Sequence, residues 1–136
     1  MVHEWAHYWW GVFDEYPTST AQYYTGPSGR TVPVMCPADF PGDWHTGPAG
    51  QRCEPGAPGC LFIPRDPSQA SPSYMAFYHL PNVTTFCNES GEHPHNVFAP
   101  TKHNKMCNRR SVWSVILQHA DFRVSRGYFT ATLSRT

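Results

Sequence analysis

The chain has no excess charge of either sign: ten Lys and Arg balance ten Asp and Glu over 136 residues. It has no basic run longer than Arg109-Arg110, so neither nucleic acid nor an anionic membrane surface is implied as a partner. Long apolar runs are also missing. The longest, VWSVIL from Val112, falls far short of the ~20 residues needed to cross a bilayer, which excludes membrane insertion by this segment. No Cys-x-x-Cys pair occurs, so the five cysteines at 36, 53, 60, 87 and 107 do not form a zinc knuckle. No positively charged start and no apolar leader can be read at the N-terminus, and no internal repeat is present. With 40% apolar and 15% aromatic residues, the composition suits one packed domain or part of one.

The opening stretch MVHEWAHYWWGVFDEY contains His3, Glu4, His7, Gly11 and Asp14 in the pattern HExxHxxxGxxD. On a helix, residues four apart share a face, so the imidazoles of His3 and His7 can hold one Zn²⁺ and Glu4 stands beside them. A zinc site of this type needs a third protein ligand and keeps a fourth position for water. Gly11 can adopt the left-handed conformation that ends a helix, and the chain can then turn an oxygen ligand back toward the metal. Asp14 is the first choice for that ligand and Glu15 the reserve. Zinc lowers the pKa of its water to about 7, and Glu4 can take that proton and hand it to a leaving amine. This is the chemistry of peptide hydrolysis. The competing reading is a buried apolar helix of Trp5, Ala6, Tyr8, Trp9 and Trp10 that merely contains two histidines. A Glu buried between them without a metal would be costly to desolvate, which counts against it.

The wide cysteine spacing in a loop-rich chain reads as a disulfide framework with one thiol left over. Asn82-Val83-Thr84 and Asn88-Glu89-Ser90 are both N-glycosylation sequons, and two within nine residues point to an extracellular or cell-surface setting. An extracellular chain without a leader is expected to be a fragment. From Pro17 to Pro72 the sequence is irregular, with strand candidates at Thr31 to Met35 and Cys60 to Ile63, tied down by Cys36, Cys53 and Cys60. Pro81 is a plausible first helical residue before Val83, Phe86 and Cys87. Ser111 can cap a helix in which Val112, Val115, Ile116, His119 and Phe122 recur at the helical interval. Met75 reads either as core packing or as the methionine that supports the ligand histidines in metzincin-type peptidases. His93, His95 and His103 read as solvated loop histidines, and Arg109 and Arg110 as ordinary surface cations.

Three blocks together resemble the N-terminal metalloprotease domain of the calcium-activated chloride channel regulators: HEWAHYWWGVFDEY, SYMAF and TFCNESGEHPHNVFAPTKHNKMCNRRSVWSVI. The resemblance implies zinc ligands His3, His7 and Asp14, a catalytic Glu4 and a supporting Met75. It implies a secreted or surface glycoprotein that cleaves its own parent chain and modulates a chloride channel without being one. It further implies an α/β fold, a partial metzincin-like zincin domain over residues 1–122 with an active-site helix, a long disulfide-tied irregular segment, a Met-turn and C-terminal helices. The sheet that precedes such a helix is expected to be missing, and residues 123–136 to be a linker or truncated end. A von Willebrand type A module follows this domain in the family. Trp9 stands where the family has a basic residue, and Ser114 where an acidic residue would complete a capping box with Ser111. The expected function is therefore zinc endopeptidase; the alternative is a non-catalytic extracellular interaction module.

Overall fold

The structure, a computed structural model, describes residues 1–18, 21–47, 49–65, 72–77, 79–80, 83–91 and 94–123. Helix α1 (Val2–Trp5) runs directly into a π-helical turn (Ala6–Trp10). Two antiparallel hairpins follow: β1 (Tyr23–Thr25) pairs with β2 (Thr31–Pro33), and β3 (Gly42–His45) with β4 (Leu61–Pro64). Two short helices, α2 (Lys102–Met106) and α3 (Val112–Leu117), come last among these elements. None of the described helices is long and apolar enough to cross a membrane.

Turn chemistry explains the first hairpin. Gly29 N–H donates to the Gly26 carbonyl at 2.9 Å, with Pro27 in the second turn position, where its fixed φ is already suitable. The strands expected at Thr31 to Met35 and Cys60 to Ile63 are present with ends shifted to Pro33 and Pro64. Their partners, three and four residues long, are too short to show an alternating pattern. The second hairpin encloses a long excursion closed by the Cys53–Cys60 disulfide. Trp44 packs edge-on against Phe62 at 5.4 Å and against Tyr23 at 6.0 Å, joining the two hairpins. A second disulfide, Cys36–Cys87, spans 51 residues and ties the end of the first hairpin to the segment before α2. Cys107 is the free, buried thiol, and burial raises its pKa.

The main core consists of Ala6, Val12, Met75, Val112 and Ile116, flanked by Trp10, Tyr74, Phe86 and Trp113. It joins the N-terminal helix to α3 through Met75. A smaller cluster of Met35 and Phe40, with Phe62 and Phe77, lies under the hairpins.

The helix expected after Pro81 is not formed. Pro81 and Asn82 lie outside the described residues, and Val83–Cys87 is irregular. Tertiary pairing prevails there: Thr85 bridges to Ser73 in parallel, its carbonyl accepts the Tyr74 N–H at 2.9 Å, and Cys87 is held by its disulfide. Helix α3 begins where its capping residue predicts, with Ser111 Oγ accepting the Ser114 N–H at 3.1 Å. The acid that Ser114 fails to supply comes from elsewhere. Glu89 Oε1 accepts the Ser111 N–H at 2.8 Å and the Ser114 hydroxyl at 3.1 Å, completing the cap from 22 residues upstream. Burial pushes the Glu89 pKa up, but these hydrogen bonds outweigh it and hold the carboxyl below its ordinary value.

Candidate metal centre

His3 and His7 lie one turn apart, with ring centroids 4.5 Å apart and nearly perpendicular. His3 is buried, and its Nδ1 faces the Tyr74 carbonyl at 2.8 Å. His7 Nδ1 faces the Val12 carbonyl at 2.8 Å. A carbonyl only accepts, so each Nδ1 carries a proton, and Nε2 is the nitrogen each ring has left for a metal. The second of these contacts depends on the helix ending at Gly11. There φ is 66° and ψ 32°, the left-handed conformation that reverses the chain and returns the Val12 carbonyl to His7.

The same reversal delivers Asp14. Its Oδ1 lies 3.4 Å from His3 Nε2 and 3.1 Å from His7 Nε2, and the two Nε2 atoms are 3.0 Å apart. Ligands about 2.0–2.1 Å from a tetrahedral ion sit about 3.3–3.4 Å from one another, so these separations fit a shared zinc. Asp14 Oδ1 is also buried without a hydrogen-bond donor. Two imidazole nitrogens and a carboxylate oxygen thus meet at one point, an arrangement that a cation at their centre would stabilise. The residues present therefore fit zinc. Glu4 sits at the open side, with 73% of its side chain exposed and Oε1 3.9 Å from His3 Nε2.

Glu15, the reserve ligand, turns the other way. It is fully buried, accepts the Ser73 hydroxyl at 2.6 Å on Oε2, and places Oε1 3.3 Å from His95 Nδ1. It also approaches Cys36 and Cys87 closely enough to suggest a second metal group, but those two sulfurs are bonded to each other and offer no thiolate. Ser73 Oγ in turn accepts the Met75 N–H at 3.2 Å. Met75 is completely buried in the turn whose Tyr74 carbonyl holds His3.

His95 and His103 are not solvated loop histidines; both are buried. Each has one partner nearby in sequence and one far away, Glu15 for His95 and Phe13 for His103, which no local pattern reveals. His95 Nε2 faces Asn104 Oδ1 at 2.7 Å. The Asn104 amide nitrogen is committed to the carbonyls of Asn96 and Ala99, so Oδ1 is the acceptor and Nε2 carries a proton. Burial pushes the His95 pKa down, but the hydrogen bond and charge of Glu15 outweigh it, with help from Asn104, and the net shift is upward. His103 accepts the Phe13 N–H on Nδ1 at 3.2 Å and donates from Nε2 to the Arg110 carbonyl at 2.9 Å. Burial holds its pKa below the ordinary value.

His93 and the Asn82 sequon lie outside the described residues. Asn88, in the second sequon, is half-buried, and its Oδ1 accepts the Glu89 N–H at 2.7 Å. Arg109 lies over the Phe98 ring, and Arg110 bonds the Cys107 carbonyl and Gln118. Beside the candidate metal centre runs a cleft of about 350 Å³, lined by Tyr16, Pro17, Val34, Met35, Phe62, Phe77 and His79 among others; among the described residues its wall holds no carboxylate, Lys or Arg. Tyr16 also stacks on His3 at 6.5 Å, so the cleft adjoins the site.

Residues 1–128 match the sequence family described as calcium-activated chloride channel N terminal. Calcium-activated chloride channel regulator 2 of Homo sapiens is 39% identical over 131 residues, covering 92% of this chain. Regulator 1 of Bos taurus is 38% identical over 137 residues and regulator 3A-1 of Mus musculus 36% over 139, each covering 90% of the chain. The chain spans 14% of the length of each of these relatives. No solved structure matches it. With the family matched over nearly its whole length, the chain belongs to the calcium-activated chloride channel regulators, within the region described as their N terminal.

Proposed function

We propose that this chain carries the catalytic centre of a zinc-dependent endopeptidase with a metzincin-like arrangement, acting on polypeptide and first on its own parent chain. The carrying observation is the convergence of His3 Nε2, His7 Nε2 and Asp14 Oδ1, all within 3.4 Å of one another. When bound, zinc would supply Lewis-acid activation of water and of a peptide carbonyl. The histidines are pre-oriented for this by the Tyr74 and Val12 carbonyls, which take up Nδ1 and leave Nε2 as the nitrogen that can bind the metal. Glu4 holds an exposed carboxylate at the open side, where Oε1 takes a proton from water and returns it to the departing amine. The cleft beside the site, whose described wall is mostly apolar and aromatic with no carboxylate, Lys or Arg, suits an apolar side chain of a peptide.

Two disulfides and two sequons support an extracellular or cell-surface setting. The relatives are regulators of calcium-activated chloride channels by name, and we take cleavage of the parent chain as the step through which this protein modulates such a channel. The test is Glu4→Gln in the full-length protein, followed by gel analysis of processing and by zinc stoichiometry. Lost processing with zinc retained is the expected result. Unchanged processing would remove the peptidase role and leave a binding module with a structural zinc.

A further inference from the structure

Three of the buried polar groups outside the ligand set, Ser73, His95 and His103, converge on one short segment, Phe13–Glu15. His103 Nδ1 accepts the Phe13 N–H at 3.2 Å, and the His103 N–H donates to the Asp14 carbonyl at 3.2 Å, so one residue holds the backbone on both sides of the third ligand's Cα. The Glu15 N–H donates to the Met75 carbonyl at 2.8 Å. The Glu15 carboxylate is held between the Ser73 hydroxyl at 2.6 Å and His95 Nδ1 at 3.3 Å. His95 is itself fixed by Asn104, and the two histidine rings meet edge to face at 6.2 Å. Neither histidine faces the metal-binding atoms.

Resting on the zinc reading above, we propose that His95 and His103 are positioning residues of the metal centre. His103 acts through the main chain of Phe13 and Asp14, and His95 acts through Glu15. Both fix the direction in which the Asp14 carboxylate points. A carboxylate on a loop has rotational freedom that a helix-borne histidine lacks, and ordering it costs entropy whenever zinc binds. Bracing the segment beforehand removes that cost, which is the ordinary way a surrounding shell raises metal affinity. His103 sits in the first turn of α2 and His95 in the segment that leads into it, so one stretch of chain braces the ligand at two points.

Asparagine and glutamine separate positioning from mere packing, because each reproduces one nitrogen of the imidazole. Asparagine places its amide near Nδ1, and glutamine places its amide near Nε2. At position 103, Asn keeps an acceptor for the Phe13 N–H and loses the Arg110 contact, whereas Gln does the reverse. At position 95, Asn keeps a donor to Glu15 and loses Asn104, whereas Gln does the reverse.

The experiment measures Zn²⁺ affinity by chelator competition, and the Co²⁺ ligand-field spectrum, for His95→Asn, His95→Gln, His103→Asn and His103→Gln in the full-length protein, with urea stability alongside. The glutamine variants are expected to lose roughly 10–100-fold in Zn²⁺ affinity and to show an altered Co²⁺ band, while the asparagine variants stay close to wild type. Equal affinities within each Asn/Gln pair, or affinities that simply follow stability, would overturn the proposal. Should the glutamine variants not fold, Ser73→Ala reads the same link by releasing Glu15 from its other partner; unaltered affinity there also overturns it. Wild-type protein that binds no zinc sinks the peptidase reading itself, a result distinct from variants that bind as wild type does.

Discussion

Substituting Gly11 isolates the backbone conformation on which the third ligand depends. At Gly11 φ is +66°, and a Cβ built there meets no atom within 4 Å. Gly11→Ala therefore introduces no clash, and its whole cost is the left-handed conformation, roughly 1–2 kcal/mol for an L-residue. Alanine also restricts the unfolded chain, which returns about 0.4–1 kcal/mol. The net expectation is a loss of about 1 kcal/mol. With a urea m-value of about 1–3 kcal/mol/M, the midpoint should fall by roughly 0.3–1 M at unchanged slope. Gly11→Asn should lose less, because asparagine tolerates this region through its short polar side chain. Urea unfolding followed by circular dichroism at fixed zinc concentration measures both, the fixed concentration being needed because ligand binding itself adds stability. If alanine is as stable as glycine, or asparagine is worse than alanine, then the left-handed turn is not what residue 11 supplies.

Two further outcomes follow from the cross-links and from the buried histidines. Removing Cys36–Cys87 with a Cys36→Ser, Cys87→Ser double variant opens a loop of 51 residues, which loop-closure entropy sets at about 4 kcal/mol. Removing Cys53–Cys60, with a separation of 7, should cost only about 2.4 kcal/mol; equal losses in calorimetry would contradict this account. The histidines give stability opposite pH slopes. His95, with its folded pKa raised, contributes stability that is full below its unfolded value of 6.5 and is lost as pH rises through the folded pKa. His103, with its folded pKa lowered, contributes stability present above 6.5 and lost as pH falls through the folded pKa. Urea stability should therefore peak near pH 6.5, and His95→Gln should flatten the alkaline side alone.

The motif was legible because helix geometry is local: four residues of spacing fix which side chains share a face, and Gly11 announces the reversal. Asp14 and Glu15 could be ranked but not separated, since both lie within reach of the same turn. What separates them is Ser73 and His95, which are 58 and 80 residues from Glu15. The misreading of His95 and His103 has the same origin. Both sit among Pro, Asn and Lys residues typical of exposed loops, while the Phe13–Glu15 segment they pack against is 80 or more residues away in sequence. The α3 cap shows a milder form: Ser111 was identified, while its acidic partner Glu89 stands outside the local pattern. Strands of three or four residues carry no usable period, so the hairpins could be glimpsed only by their more apolar halves.

Burial of so much polarity in so small a core needs a physical reason. Glu15, His95, His103 and Asn104 are all buried, and each must offset its desolvation with hydrogen bonds. Apolar residues of similar volume would hold the loops together without that cost, and networks of this kind are often neutral for stability. Directionality is what apolar packing cannot supply. Hydrogen bonds to the Phe13 amide, the Asp14 carbonyl and Glu15 Oε2, with the His95 ion pair on Oε1, fix a direction as well as a distance, and the group whose direction they fix is the Asp14 carboxylate. Substitutions in this network should therefore be felt in zinc affinity beyond what their effect on stability accounts for, whereas substitutions in the apolar cluster around Ile116 should be felt in stability first.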